Sequence, residues 1–341
     1  MSKFLSLCIT SYNRPAQLRR CLESVDTKYI NEVEILIGDD CSPLRNEISK
    51  SVIDYRAKST IKTILINNPT NIGYDANFHN IISAATGTYL LFVTDDDALL
   101  PGSVDKIIDI LKQQSFPVAF TPFFNRESNK LSRNYYNSYE IPPSIDSAVK
   151  FFYDSILLSG LIFRRDRIPS YDPRLFKGLI YSQVFVFICI LYEHGGGYVN
   201  IPTIDYIGDG VNGFGSNAGE EKNELLTDRL NYLSNLEYNK RLAEVTKLFD
   251  NRFNTNIHAS ISRVYSIRTI TGFCYARSFG INALKEYRKS LYEVGFNLGV
   301  LPNLYYYSLR IFGLTFIRMT LDISKSMYLK IQRLIAILGL S

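Results

Sequence analysis

Four short apolar runs, each closed by a polar or turn-forming cluster and separated from the next by a helix-like stretch, occupy residues 4–97 of this 341-residue chain. Phe4-Leu-Ser-Leu-Cys-Ile-Thr10 reads as a buried strand bounded by Ser11, Asn13 and Pro15. Pro15 opens a helix, because Ala16, Leu18, Cys21, Leu22 and Val25 recur at spacings of three and four and build one apolar face. Glu34-Ile-Leu-Ile37 is a second strand, stopped by Gly38-Asp39-Asp40. A polar helix near 45–57 leads to a third, Thr63-Ile-Leu-Ile66, closed by the turn-rich stretch from Asn67 to Asn71. Residues 74–85 pattern as a helix, and Tyr89-Leu-Leu-Phe-Val93 is a fourth strand ending in Thr94-Asp95-Asp96-Asp97. This alternation predicts an α/β fold with a mainly parallel sheet covered on both faces.

Ligands of such sheets bind outside the carboxyl ends of the strands, which is where the four polar clusters fall. Three adjacent carboxylates repel one another unless a positive group sits among them. A hard divalent cation, Mn²⁺ or Mg²⁺, held by Asp95, Asp96 and Asp97 resolves the conflict, and such ions share their coordination with substrate phosphates. The competing reading is a solvated acidic turn that opens the next helix. No G-x-G-x-x-G and no G-x-x-x-x-G-K-[ST] is present, so a metal rather than a glycine loop would hold a nucleoside diphosphate. Tyr12 offers a ring on which a base can stack, and Asp39 or Asp40 can accept from a base N–H or a ribose hydroxyl. Arg14 either meets the diphosphate or is an ordinary solvated arginine ahead of a helix.

Composition narrows the partners. Thirty-eight Lys and Arg against thirty-three Asp and Glu leave a net charge of +5, too little single-sign density for a nucleic-acid binder. The five cysteines are odd in number, scattered and without a C-x-x-C pair, which predicts neither disulfide framework nor zinc cluster and fits a reducing cytosol. The three histidines show no H-x-x-x-H spacing. The apolar stretch at the start is too short for a secretory signal, and no uncharged run of about 18 residues predicts a transmembrane helix.

Ile9-Thr-Ser-Tyr-Asn-Arg14, Glu34-Ile-Leu-Ile-Gly-Asp-Asp-Cys-Ser42, Asn71-Ile-Gly73 and Thr94-Asp-Asp-Asp-Ala-Leu-Leu-Pro101 together resemble the family 2 glycosyltransferases of GT-A fold. The resemblance covers roughly the first 115 residues well and the next 100 weakly. It is closest to enzymes that add sugars to bacterial O-antigen, capsule or related surface polysaccharides, and Asn71-Ile-Gly-Tyr-Asp-Ala-Asn-Phe78 is similar to abequosyltransferase-like members. The resemblance implies a GT-A catalytic domain over 1–218, with a nucleotide-sugar half (1–115) and an acceptor half (116–218), followed by a helical region over 219–341. It implies a metal-dependent, inverting transfer from a nucleotide-sugar donor to a glycan or lipid-linked acceptor. Donor-binding residues would be Thr10, Tyr12, Arg14, Asp39, Asp40, Asn71, Gly73, Asp95 and Asp96. The metal position falls on Asp95 and Asp97 if the triplet is read as D-x-D, and on Asp96, with Thr94 in place of the first Asp, if counted back from Pro101.

The second half departs from the family pattern. Ser159-Gly160 is similar to the segment entering the acceptor side, and is equally a tight turn starting a strand. Where many members carry a Glu-Asp pair supplying the general base, this chain has Tyr181-Ser182-Gln183, so Gln183 is assigned to acceptor positioning and the catalytic base is unassigned. Asp166, Asp172, Glu193 and Asp209 are base candidates by location, each against the plainer reading of a surface carboxylate. His194 is a candidate metal ligand or a structural histidine beside a helix end. Gly195 to Gly197 ends a helix and turns the chain into Tyr198 to Ile201, and the glycine-rich stretch 208–216 reads as either a lid or a connector. Helical patterns follow over 225–248, 257–271, 283–292 and 304–340, mixing aromatic, aliphatic and basic residues. Such helices lie in a bilayer interface or pack on each other or a second subunit, with packing preferred. The predicted location is cytoplasmic, with peripheral contact to the inner membrane as a further option. A sugar-1-phosphate nucleotidyltransferase and a non-catalytic glycosyltransferase-like binding module are the alternatives.

Overall fold

The computed structural model describes residues 3–135, 137–209, 232–317 and 319. Strands β1 (Leu5–Ser11), β2 (Val33–Asp39), β3 (Lys62–Asn67) and β4 (Tyr89–Thr94) alternate with helices α1 (Pro15–Glu23), α2 (Arg45–Arg56) and α3 (Tyr74–Ala84). After them come β5 (Ala98–Leu99), α4 (Ser103–Gln113), β6 (Val118–Phe120), β7 (Phe123–Asn125), β8 (Lys130–Ser132), β9 (Tyr139–Ile141), α5 (Ile145–Lys150), β10 (Leu161–Arg164), α6 (Ser182–His194), β11 (Gly196–Tyr198) and β12 (Ile204–Tyr206). One sheet runs β3-β2-β1-β4-β10-β6-β11-β9, and a second runs β5-β12-β7-β8. In the larger sheet β3, β2, β1 and β4 are parallel; β10 and β9 alone run against the rest.

Alternation along each strand sends side chains to two covered faces. Leu5, Leu7, Ile9, Ile35, Ile37, Leu91 and Val93 pack with Leu18 and Leu22 of α1, Ile48 and Val52 of α2, and Ile107 and Leu111 of α4. On the other face Phe92 meets Phe78 of α3 at a ring-centroid distance of 4.8 Å and Phe163 of β10 at 5.8 Å. The expected α/β architecture, with its mainly parallel sheet, is therefore present. Strand β11 begins within the glycine run, at Gly196. A Cβ on Gly197 would meet the Phe116 ring at 2.3 Å, so only glycine lets this backbone pair with β6 and β9 there.

The chain divides into two units, Met1–Thr227 with Glu244–Ile257, and Asp228–Ala243 with His258–Ser341. Helices α7 (Ser234–Phe253), α8 (Ile257–Ser278), α9 (Ile281–Leu291) and α10 (Leu301–Ile311) follow the sheets. Within the second unit Phe273 of α8 packs edge-on against Tyr287 of α9, their centroids 5.0 Å apart, and Ser266 donates to the Leu298 carbonyl at 2.8 Å. Most of the glycine-rich 208–216 stretch, the start of the 225–248 helix and the end of the 304–340 helix lie outside the described residues.

Candidate active site

Parallel pairing brings the expected residues to one rim. Ser11 of β1 is opposite Asp39 of β2, Asp39 is opposite Asn67 of β3, and Thr10 is opposite Thr94 of β4. The ladder continues past the strand ends: Asp40 N–H donates to the Ser11 carbonyl, Asn68 to Asp39, and Asp95 to Thr10. The four loops that follow are thus neighbours because of their strands, before any side chain acts.

Asp39 is fully buried and accepts from the backbone N–H and hydroxyl of Ser42, whose hydroxyl in turn accepts from Asn13 N–H at 2.7 Å. It therefore braces the β1 and β2 loops. Asp40 accepts from Ile72 N–H and Gly73 N–H, both at 2.9 Å, and from the Asn68 amide at 3.1 Å. Burial pushes the Asp40 carboxyl above its ordinary range against the pull of these donors. Asn71 accepts from Gly73 N–H and is also hydrogen-bonded to the Tyr12 phenol; burial raises that phenol. Gly73 sits at φ +83, the left-handed region that lets both N–H groups turn toward Asp40. Thr10 is buried at the end of β1.

The three carboxylates of the β4 loop go different ways. Asp95 turns inward, accepting from the Ser11 hydroxyl at 2.8 Å, Tyr12 N–H at 3.3 Å and the Arg14 guanidinium at 2.8 Å. Asp97 turns toward the second half of the domain, accepting from the Thr94 hydroxyl at 2.9 Å, the Ser159 hydroxyl at 2.6 Å and Ile207 N–H at 3.2 Å. Burial pushes both up to about 6, against Arg14 for Asp95 and against the Ser159 hydroxyl for Asp97. Asp96 has the Arg14 guanidinium at 3.1 Å and a side chain 17% exposed, where that of Asp95 is 2% exposed. Arg14 thus supplies the positive charge that the repulsion argument demanded.

Among the described residues no three Asp, Glu, His or Cys side chains converge as a ligand set. Asp96 is the most accessible carboxylate of the three, and it is the one that would hold a Mn²⁺ or Mg²⁺ ion there. His194 is exposed at the far end of α6, eleven residues and roughly 16 Å of helix from Gln183.

Ser159 and Gly160 border the triplet. The Ser159 hydroxyl links Asp97 to Thr94, and Gly160 lies at φ +86, where an added Cβ would approach Thr121 Oγ1 to 2.7 Å. Arg133, half-buried, donates to the Ser159 carbonyl at 2.9 Å and to Leu157 O, and desolvation lowers its guanidinium to about 10. Gln183 is buried, accepting from the Tyr74 hydroxyl at 3.1 Å and donating to Ile156 O at 2.9 Å. Of the base candidates, Asp166 follows β10, which ends beside Tyr89 at the opposite rim, and pairs with Arg164. Asp172 caps the turn Pro173–Phe176 and pairs with Arg174, while Glu193 ends α6 beside His194. Asp209 is tied to the triplet loop: Arg20 binds both its oxygens at 2.7 Å and donates to the Asp96 carbonyl at 2.7 Å. That pairing lowers Asp209, the opposite of what a base requires.

Sequence reasoning missed three contributors. Arg20 and Arg133 lie in no motif that the sequence singles out. Asp75 stood inside a motif already singled out, and it accepts from Ile180 N–H at 2.7 Å, Ser182 N–H at 2.9 Å and the Ser182 hydroxyl at 2.6 Å.

Residues 6–165 match the model described as Glycosyl transferase family 2. This segment belongs to that family. The family 2 domain is similar to an uncharacterized glycosyltransferase of Haemophilus influenzae, 30% identical over 109 residues, which are 32% of this chain and 35% of the relative. It is also similar to the GalNAc(5)-diNAcBac-PP-undecaprenol beta-1,3-glucosyltransferase of Campylobacter jejuni, 27% identical over 105 residues, 30% of this chain and 33% of that one. The chain spans about a third of the length of these relatives. Residues 1–349 of TarS from S. aureus, solved in complex with UDP-GlcNAc, superpose with a TM-score of 0.56 over 92% of this chain and 88% of that one at 14% identity. The shared fold is GT-A.

Proposed function

We propose that this chain transfers a sugar from a nucleoside diphosphate donor to a hydroxyl of a glycan or lipid-linked acceptor. The observation that carries the reading is the joining of the β1, β2 and β3 loops with the carboxylate loop of β4 at one rim. Tyr12 N–H and the Ser11 hydroxyl both reach Asp95, while the Tyr12 phenol meets Asn71 beside Asp40. In this reading Thr10, Tyr12, Asp40, Asn71 and Gly73 receive the base and ribose, with Asp39 holding their loops. Arg14 and Asp96 face the diphosphate. A divalent cation on Asp96 would supply positive charge to the departing phosphate oxygens. Asp95 and Asp97 position Asp96 from either side, and Ser159 and Gly160 border the acceptor with Gln183 fixing the Ile156 loop behind them.

The Campylobacter relative's name includes a polyprenol-linked saccharide, which supports a lipid-linked acceptor; a role in surface polysaccharide assembly is proposed with it. Family membership supports inversion at the anomeric carbon. No residue is assigned as the base, because the α6 entrance carries Gln183 and Asp209 is bound to Arg20. That same absence favours one second reading, a glycan-binding module without turnover. The extent of the sugar-transfer domain is proposed as 1–218, on the cytoplasmic side.

Ligand-induced stabilisation tests the reading. UDP and other nucleoside diphosphates with Mn²⁺ are expected to stabilise the protein by roughly RT ln(1 + [L]/Kd), read as a rise in Tm of several degrees. Asp96→Ala should abolish the Mn²⁺-dependent part of the rise. If no nucleoside diphosphate stabilises the protein, the donor site is wrong; if one does but donor hydrolysis never exceeds that of Asp96→Ala, the module reading stands.

A further inference from the structure

We propose that Arg20 is a positioning residue for the cation loop: by fixing the Asp96 main chain it keeps that carboxylate at the rim. This rests on the metal-assisted sugar transfer proposed above. The side chains of Asp95 and Asp97 are anchored by the β1 loop and by Ser159, whereas Asp96 has the Arg14 guanidinium at its carboxylate and is otherwise held through its backbone. The hold comes from α1. Arg20 Nη2 donates to the Asp96 carbonyl at 2.7 Å, and Ser24, four residues further along the same helical face, accepts from Leu99 N–H at 2.9 Å. These two bonds seat both ends of residues 96–99 on one helix. The carbonyl and the side chain of Asp96 spring from one residue, so a fixed carbonyl restricts the direction its carboxylate can take.

Arginine suits this task through its fork. Nη2 divides its two hydrogens between the Asp96 carbonyl and one Asp209 oxygen, and Nη1 takes the other Asp209 oxygen, all three bonds at 2.7 Å. A lysine ammonium has no such planar spread. Asp209 also offsets a charge that would otherwise repel a cation arriving at Asp96. It is delivered there by the chain after β12, where Asp205 is opposite Ala98 of β5 and Ile207 N–H reaches Asp97. Both side chains of the pair are partly exposed, so the pair adds little to overall stability and its consequence falls on the loop it holds.

The test is Mn²⁺ binding to the full chain, followed by the electron paramagnetic resonance signal of the free ion, with calorimetry of UDP and GDP in the presence and absence of Mn²⁺. Arg20→Met keeps the reach of the side chain and removes its donors; it should weaken Mn²⁺ binding about tenfold, the worth of one charge-assisted hydrogen bond. Nucleotide affinity should fall to match when Mn²⁺ is present and stay unchanged without it. Arg20→Lys keeps the charge without the fork and should weaken Mn²⁺ binding about threefold. Both variants should melt with wild type; if Arg20→Met melts lower, Arg20→Lys decides alone. A role through charge only predicts the reverse, with Mn²⁺ held more tightly by Arg20→Met and equally by Arg20→Lys, and that result overturns the inference while the donor site stands. Nucleotide affinity lost equally without Mn²⁺ overturns it too, because Arg20 would then bind phosphate directly. Wild type that binds Mn²⁺ neither alone nor with UDP or GDP overturns the proposed donor site and this inference together.

Discussion

Adjacent carboxylates need not share one task. Asp95 and Asp97 are enclosed by donors from β1 and from the second half of the domain, and Asp96 is left at the rim with Arg14 beside it. The repulsion visible in the sequence was real, but a guanidinium eighty residues away answers it, which no spacing rule reveals. Arg14 holds the Asp96 oxygen that the proposed divalent cation would take, so Arg14→Ala is expected to tighten Mn²⁺ binding in the absence of nucleotide by about fivefold. The same variant should weaken nucleoside diphosphate binding by roughly tenfold through the lost charge-assisted contact. Titration followed by the electron paramagnetic resonance signal of free Mn²⁺, with calorimetry for the nucleotide, reads the two effects separately. Mn²⁺ affinity unchanged by the substitution would show that Arg14 does not compete.

At the level of elements, α6 begins without a cap of its own: Tyr181 makes no side-chain capping bond. Asp75, from the first turn of α3, fills the role by accepting from Ser182 N–H and its hydroxyl. It also holds Ile180, a β-branched residue at φ +56, through its N–H. The neighbouring Tyr74 donates to Gln183, so two consecutive residues of α3 set the start of α6 and the Ile156 loop it touches. Asp75→Ala strands two buried N–H groups and is expected to cost about 2–4 kcal/mol, with Asp75→Asn costing less. Urea unfolding measures both; equal stability of Asp75→Ala and wild type would remove the capping argument. The extents of α1, α2 and α3 were legible to within two residues, that of α1 from its apolar periodicity and Pro15. The capping of α6 was not, since its partner lies 107 residues earlier.

For the molecule as a whole, the rim opposite the candidate site is closed by Glu34, fully buried, which accepts from the Ser6 hydroxyl, Lys62, Thr86 N–H and the Thr86 hydroxyl. These bonds join β1, β2, β3 and the turn before β4. Burial raises the Glu34 carboxyl, but the bonds from Lys62 and Thr86 outweigh it, and its folded-state pKa is lowered from the ordinary 4.5. The folded form therefore takes up a proton less readily than the unfolded chain, and the contribution is present above about pH 4.5 and lost as pH falls through and below it. Glu34→Gln is expected to cost about 1–3 kcal/mol at neutral pH and progressively less as acid protonates the wild-type carboxyl. Denaturant midpoints across pH check this, and a gap that stays constant into acid would refute it.

The amino-acid sequence by itself determined the alternating elements, the direction of the first four strands and the rim on which their polar loops fall. Those follow from local periodicity and from the covalent order of strand, loop and helix. Tertiary structure decided the rest: which of three carboxylates faces outward, that Gln183 is turned into the protein, and that Asp75 caps a distant helix. Each depends on groups brought together across 60 to 110 residues of chain, such as Ser159 on Asp97 and Ile207 on the same carboxylate, and contacts of that range leave no period in the sequence.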